Sequence, residues 1–257
     1  MSLLKLPEPD GWSGGRTFLA LAVAVSVVVA VAYCCLGVAA ATRGNYLTLV
    51  VTLGWSAFLL TFSWALALVG TSRTTLQTTS DATGFTVWPD RRFTRIVLVG
   101  VVAAVPSSIL FAVVAPFGGI EFANTTLLRT TLPIGAGFAA FVGIAGLITA
   151  WRRGGVGHVK LTPAMIENAD ILSTRAFEWD DVVDVADHAD TRKARRAVVL
   201  RLRDGKEEII SVADIYVPGG VALYWLVRHY WRHPEDRTEL VDARATERLR
   251  DGRFDLT

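Results

Sequence analysis

The chain has 257 residues, 52% hydrophobic and only 19% charged, with a mean hydropathy of +0.40. Soluble domains carry about 25% charged residues, so the composition argues against a simple soluble globule. The net charge of +2 gives no basis for bulk nucleic-acid binding. The charge is also uneven: residues 1–151 hold 8 Lys/Arg and 5 Asp/Glu, whereas residues 152–257 hold 18 and 19. The chain therefore reads as an apolar domain over 1–153 followed by a charged domain over 154–257.

Four stretches lack charge altogether, between Arg16 and Arg43, Arg43 and Arg73, Arg95 and Glu121, and Arg129 and Arg152. Each exceeds the roughly 20 residues that a helix needs to cross the hydrocarbon layer. The predicted helices are Thr17–Ala40, Tyr46–Gly70, Arg95–Phe117 and Thr131–Trp151. Lys and Arg alternate across the connections. Lys5 and Arg16 precede the first helix, and Arg43 alone follows it. Arg73, Arg91, Arg92 and Arg95 follow the second, Arg129 alone the third, and many follow the fourth. This pattern predicts a multi-pass protein of a bacterial inner membrane with both termini cytoplasmic. Trp151, Arg152 and Arg153 read as interfacial anchors. Ala39-Ala40-Ala41 offers a small-residue cleavage site, but the apolar run before it is far longer than a signal peptide's.

The predicted spans contain no Asp, Glu, Lys, Arg or His beyond the terminal Arg95, which argues against a pump or proton-coupled transporter. Pro106-Ser107-Ser108 predicts a kink whose freed carbonyl is met by a serine. Gly135, Ala139 and Gly143 predict a small-residue packing face. Cys34 and Cys35 are adjacent inside an apolar run, too few for a disulfide framework and on the wrong side for palmitoylation at the inner face. Asn124-Thr125-Thr126 matches a glycosylation acceptor, but 22 Arg against 4 Lys suggests a high-GC bacterial genome, where the match is fortuitous.

Thr71–Thr94 is too long for a turn. Within it, Gly84–Trp88 reads as a short strand ended by Pro89. A lone apolar strand needs a partner. We expect it to dock on the tail domain, the alternative being Trp88 anchored in the headgroup region.

After Arg153 the pattern turns to strands at His158–Thr162, Ala164–Asn168 and Arg175–Val185, the last bent near Asp180-Asp181. Ala197–Arg203 and Lys206–Val212 flank Asp204-Gly205, a type I′ hairpin signature. A helix over Val221–His233 carries a Leu223, Leu226, Val227 and Tyr230 stripe. Pro234 stops it, and a more polar helix is expected over Glu235–Arg250. The predicted class is four transmembrane helices plus an α+β domain.

The strands at 158–163 and 177–185, the Asp204-Gly205 hairpin and the helix after Pro218 resemble bacterial pleckstrin-homology-like (PH-like) domains. That resemblance implies a curled antiparallel sheet capped by a C-terminal helix. Trp151–Gly155, Gly219–Val227 and Tyr230–Glu235 are similar to a family of actinobacterial four-helix transmembrane proteins with such a domain. This likeness brings no activity or site.

No catalytic, cofactor or metal set emerges, and the chain reads as a non-enzyme. His229 and His233 share a helix face but lack further ligands at suitable spacing. Asp180, Asp181, Asp184, Asp187 and Asp190 read as a solvated acidic face. Arg192, Lys193, Arg195 and Arg196 are the candidate contacts to a protein partner or lipid headgroup, set against an exposed loop neutralised by nearby aspartates. The expected partners are the lipid bilayer and a protein, with no nucleic acid. The leading function is scaffolding or regulatory binding. The alternative is a subunit of a transporter or channel for an apolar or lipid-like substrate, for which Ser56, Thr61, Ser63, Ser107 and Ser108 would have to converge on one cavity.

Overall fold

A computed structural model describes residues 6–12, 16–170, 173–191 and 194–256. The chain forms two compact units. One comprises residues 17–67 and 94–154, the other 1–16, 68–93 and 155–257.

The helical unit is built on α1 (Arg16–Thr42), α2 (Tyr46–Gly70), α3 (Arg91–Val114) and α4 (Leu132–Arg153). All four are long and apolar enough to cross a membrane. α3 starts four residues before the expected Arg95, because Asp90 caps it: Oδ1 accepts from the amides of Arg92 (2.5 Å) and Phe93 (3.1 Å). It ends at Val114, where a 3-10 turn over Ala115–Phe117 takes over. α4 runs two residues past Trp151 and stops at Gly154, whose φ is +69°.

Neighbouring helices approach closely at small residues. A Cβ on Gly37 would strike Thr52, one on Gly54 would strike Ser107, and one on Gly143 would strike Val105. Of the predicted small-residue face, Gly143 makes such a contact, whereas Gly135 has nothing within 4 Å of a Cβ position. The 118–126 connection is tied to α2 and to the turn before it: Asn45 Nδ2 donates to Gly119 O, the Glu121 amide donates to Thr48 Oγ1, and Arg43 pairs with Glu121.

The second unit holds two antiparallel sheets. The first has five strands in the order β1 (Gln77–Asp81), β2 (Gly84–Trp88), β3 (His158–Leu161), β4 (Met165–Ala169) and β5 (Thr174–Glu178). The second has β6 (Val182–Ala186), β7 (Val198–Leu202) and β8 (Glu207–Ile210). Two helices follow, α5 (Val221–Arg232) and α6 (Arg244–Asp251).

The strand expected at 84–88 is docked. β2 pairs with β3 in the register Phe85↔Leu161, Thr86↔Lys160 and Val87↔Val159. Phe85, Val87, Val159 and Leu161 are all fully buried. Trp88 is held in the sheet, its indole N–H donating to Thr79 Oγ1 at 2.6 Å and its ring lying 4.9 Å from that of His158. Gly84 sits at φ +145°, where a Cβ would meet Leu161 O at 2.7 Å, so only glycine lets the hairpin approach β3 this closely.

Several expectations need correction. The break expected at 153/154 falls at 154/155, but residues 1–153 are not one domain, because residues 1–16 and 68–93 belong with the tail. Edge pairing and apolar burial decide this, not proximity along the chain. The expected strand Arg175–Val185 is two strands in different sheets, separated by a 3-10 turn over Trp179–Asp181. Trp179 is buried there, donating to Thr162 O at 2.8 Å. At Asp204-Gly205 only Gly205 has positive φ. The Leu202 amide bonds Lys206 O and the Gly205 amide bonds Leu202 O, so the loop spans Arg203, Asp204 and Gly205 rather than forming a two-residue type I′ turn. The polar segment expected as one helix over 235–250 is a 3-10 stretch (Pro234–Val241) followed by the short α6.

The α5 stripe is as expected, with Leu223, Leu226, Val227 and Tyr230 all fully buried. They share one core with Ile166, Val185, Val198, Leu200 and Ile210.

This arrangement predicts that a fragment of residues 154–257 lacks part of its own core. Burying Phe85 and Val87 contributes about 1.5–3 kcal/mol each, against a typical total stability of about 5–15 kcal/mol. By circular dichroism and thermal melting the fragment should lack a cooperative transition, and fusing residues 74–90 to its N-terminus should restore one. A cooperative fragment that gains nothing from the fusion would contradict this assignment.

Candidate functional site

Of the residues singled out for partner contact, Arg195 and Arg196 are described. Arg192 and Lys193 lie outside the described residues. Arg195 and Arg196 turn inward. Arg195 Nη2 lies 3.2 Å from Asp214 Oδ2. Arg196 is buried, donating from Nη1 to Gly219 O and from Nη2 to Glu8 Oε1, both at 3.0 Å.

Glu8 belongs to a strap that sequence reading missed, residues 6–12. Pro9 and Trp12 are buried, whereas Glu8, Asp10 and Gly11 are exposed. The Trp12 indole N–H is shared between Asp187 O (2.9 Å) and Ala197 O (3.2 Å), and its ring meets Tyr224 edge-on at 6.0 Å. The Gly11 amide donates to Asp187 Oδ2 at 2.8 Å, and Trp225 Nε1 donates to Pro7 O at 3.0 Å. Burial works to raise the Asp187 carboxyl, but the His188 ring and the Gly11 amide outweigh it and hold the group below the usual carboxylate range. Asp187 is thus a receptor for the strap rather than part of a free acidic face. Asp184 and Asp190 both pair with Arg201.

Two segments joined to each other carry left-handed backbone: Arg196 has φ +44° and Val212 has φ +56°, the latter a β-branched residue that rarely adopts it. The Val212 and Ala213 amides bond the carbonyls of Arg195 and Arg196. This places Asp214 in a fully buried position where neither carboxylate oxygen accepts a hydrogen bond. Burial pushes its carboxyl up, against the charges of Arg195 and Arg196. The turn that carries Asp214 grips both ends of the hairpin segment: Thr74 Oγ1 donates to Asp214 O (3.0 Å), and the Asp90 amide donates to Ile215 O (2.9 Å).

His229 and His233 are each committed to carboxylates. His229 is buried with Nε2 3.0 Å from Asp236, and His233 reaches Glu235 and Asp255. Among the described residues no group of three or more His, Cys, Asp or Glu gathers as metal ligands would. Trp151 is 84% exposed and Arg152 and Arg153 are exposed at the end of α4.

The helical unit holds a cavity of about 750 Å³, lined by residues such as Tyr33, Trp55, Phe111, Ala136, Phe138 and Gly143. Of the five hydroxyl residues that transport would need to converge there, only Ser108 lines it, accepting from Trp55 Nε1 at 3.2 Å. Ser56 donates to Ala30 O on α1, and Thr61 and Ser63 bond carbonyls of their own helix. Ser107 donates to Val50 O on α2, not to the carbonyl that Pro106 frees in its own helix.

No family model matches the chain, and neither a curated protein nor a solved structure matches it.

Asp214 gives a signed prediction. A carboxyl whose folded pKa is raised contributes stability that is complete below its unfolded value of 3.8 and is lost as pH rises through the folded value. Asp214→Asn removes the cost of the buried charge. The variant should therefore melt higher than the wild type at pH 7.5, by about 2–4 °C for each kcal/mol gained, with the difference shrinking as pH falls towards 4. A lower melting temperature at both pH values would mean that the arginine pairing outweighs burial.

Proposed function

We propose that this protein is a membrane-anchored scaffold or regulatory binding protein. Its four helices hold a PH-like interaction domain on the cytoplasmic face of a bacterial inner membrane, and the domain recruits a protein partner there. The observation that carries this reading is the construction of the second unit from three chain segments, each joined directly to a membrane-length helix. A domain joined to its helices at several points along the chain is kept at the membrane by covalent connection, which suits recruitment better than catalysis.

Three further features support it. Strands β2–β5, then β6–β8, then α5 follow the strand-then-helix order that the resemblance to PH-like domains implies. The described parts of residues 1–16, 68–93 and 155–257 group in one unit, which supports placing both termini on the same side, and these are the segments richest in Lys and Arg. Four of the five hydroxyl residues bond helix carbonyls away from the cavity, which favours scaffolding over passage of a substrate. The second reading, a subunit that handles an apolar or lipid-like substrate, has one specific observation in its favour, the cavity beside Trp55 and Ser108. Its volume falls in the range of about 300–1,000 Å³ typical of ligand pockets.

Three measurements test the proposal. A reporter active only in the periplasm, fused after Thr257, should be silent, and strong activity would overturn the orientation. Cross-linking in native membranes followed by purification of the full chain should recover a protein partner, and reconstituted vesicles should translocate labelled lipid no faster than empty ones. Translocation above background with no recovered partner would favour the second reading.

A further inference from the structure

The strap is attached as a bound peptide is attached, not as a strand or helix of the domain. It joins neither sheet, and its one regular element is the three-residue turn Asp10–Trp12. Its grip combines the buried Trp12 and Pro9, Leu6 packed against the core, one ion pair, and hydrogen bonds made by the Gly11 amide and the Pro7 carbonyl. The groove beneath is made by the regular elements themselves: Asp187 just beyond β6, Arg196 and Ala197 before β7, and Tyr224 and Trp225 on α5. The groove is complementary to the strap in charge and in hydrogen-bonding groups. Arg196, itself buried, reaches a carboxylate that is half exposed, and two carbonyls converge on a single indole N–H. Glu8 and Trp12, the two anchors, are four residues apart.

We infer that this groove is a peptide-recognition site, with residues 6–12 as its built-in occupant, and that it accepts from a partner protein a segment carrying a carboxylate four residues ahead of a tryptophan. The inference deepens the interaction reading above and rests on it. In the resting chain the strap competes for the site at high effective concentration. Because Trp12 lies only four positions before Arg16, the start of α1, displacing the strap links partner binding to the first membrane helix through the chain itself.

The test uses the full chain in lipid nanodiscs, with a protease site inserted between Gly14 and Gly15, and a fluorescein-labelled peptide of residues 6–12 with capped ends. After cleavage, fluorescence polarisation should show saturable binding of the peptide. The uncut chain should bind it at least about tenfold more weakly, because the tethered strap competes. A peptide with Glu8→Gln should lose about tenfold, and one with Trp12→Ala at least about thirtyfold, as expected for a buried aromatic anchor. An uncut chain carrying Glu8→Gln and Trp12→Ala should bind the wild-type peptide without cleavage. If the cut chain stays folded and takes up no peptide, or if cutting unfolds the domain, the strap is a fixed part of the fold and the inference fails. That failure leaves partner recruitment through another surface open. Peptide binding without any partner recovered from membranes would keep the groove and remove the scaffolding role.

Discussion

The structure depends on one antiparallel pairing, β2 against β3. Without it, Phe85 and Val87 lose their burial, the backbone edge of β3 faces solvent, and the segment between α2 and α3 becomes a long loop with two large apolar side chains and no place to put them. With it, the first sheet is continued across a gap of seventy residues in the chain. The loop that joins two membrane-length helices becomes an internal part of the folded domain. Close contact at Gly84 and the full burial of all four core residues at the junction make this pairing hard to replace by any other register.

The polar contacts around that pairing serve the same end. Asp90 caps α3 through its carboxylate while its amide bonds Ile215 O, so one residue joins helix start and domain turn. Although burial works to raise the Asp90 carboxyl, the hydroxyl and amide of Thr75 and the amides of Phe93 and Arg92 hold it below the usual range, which keeps the cap ionised. Asp214, one residue before Ile215, experiences the reverse balance. The two aspartates flank one junction with opposite shifts. The turn that carries Asp214 is strained at Val212 and braced by Gly220, where a Cβ would come within 2.9 Å of the Asp214 amide. Strain of this kind persists only when surrounding contacts over-determine it, and here the arginines, Thr74 and Asp90 supply those contacts.

Much of this was legible in the sequence, for identifiable reasons. Charge-free gaps longer than a bilayer core mark α1 to α4, because a buried charge there is costly. The α5 stripe and the 84–88 strand follow from periodicity, and the need to dock that strand follows from its lack of a partner. β1 was not legible: Gln-Thr-Thr-Ser-Asp has no apolar alternation, and it is a strand because β2 offers it an edge. The two strands in 174–186 were merged because period two runs through the 3-10 turn that moves the chain between sheets. The strap was missed because Pro, Gly and acidic residues around a lone Trp have no period at all. For the same reason Arg195 and Arg196 read as free surface charges, when Asp214 and Glu8, both distant in the chain, claim them.

The central claim is that residues 77–88 and 158–210 form one cooperative domain. Hydrogen exchange of the full chain in nanodiscs, read by mass spectrometry, tests it most directly. The account predicts that amides in 84–88 exchange as slowly as those in 158–169, and that both regions open together as denaturant is added. Fast exchange over 84–88 beside a protected 158–210 would show that the hairpin is not part of the domain and would contradict the account.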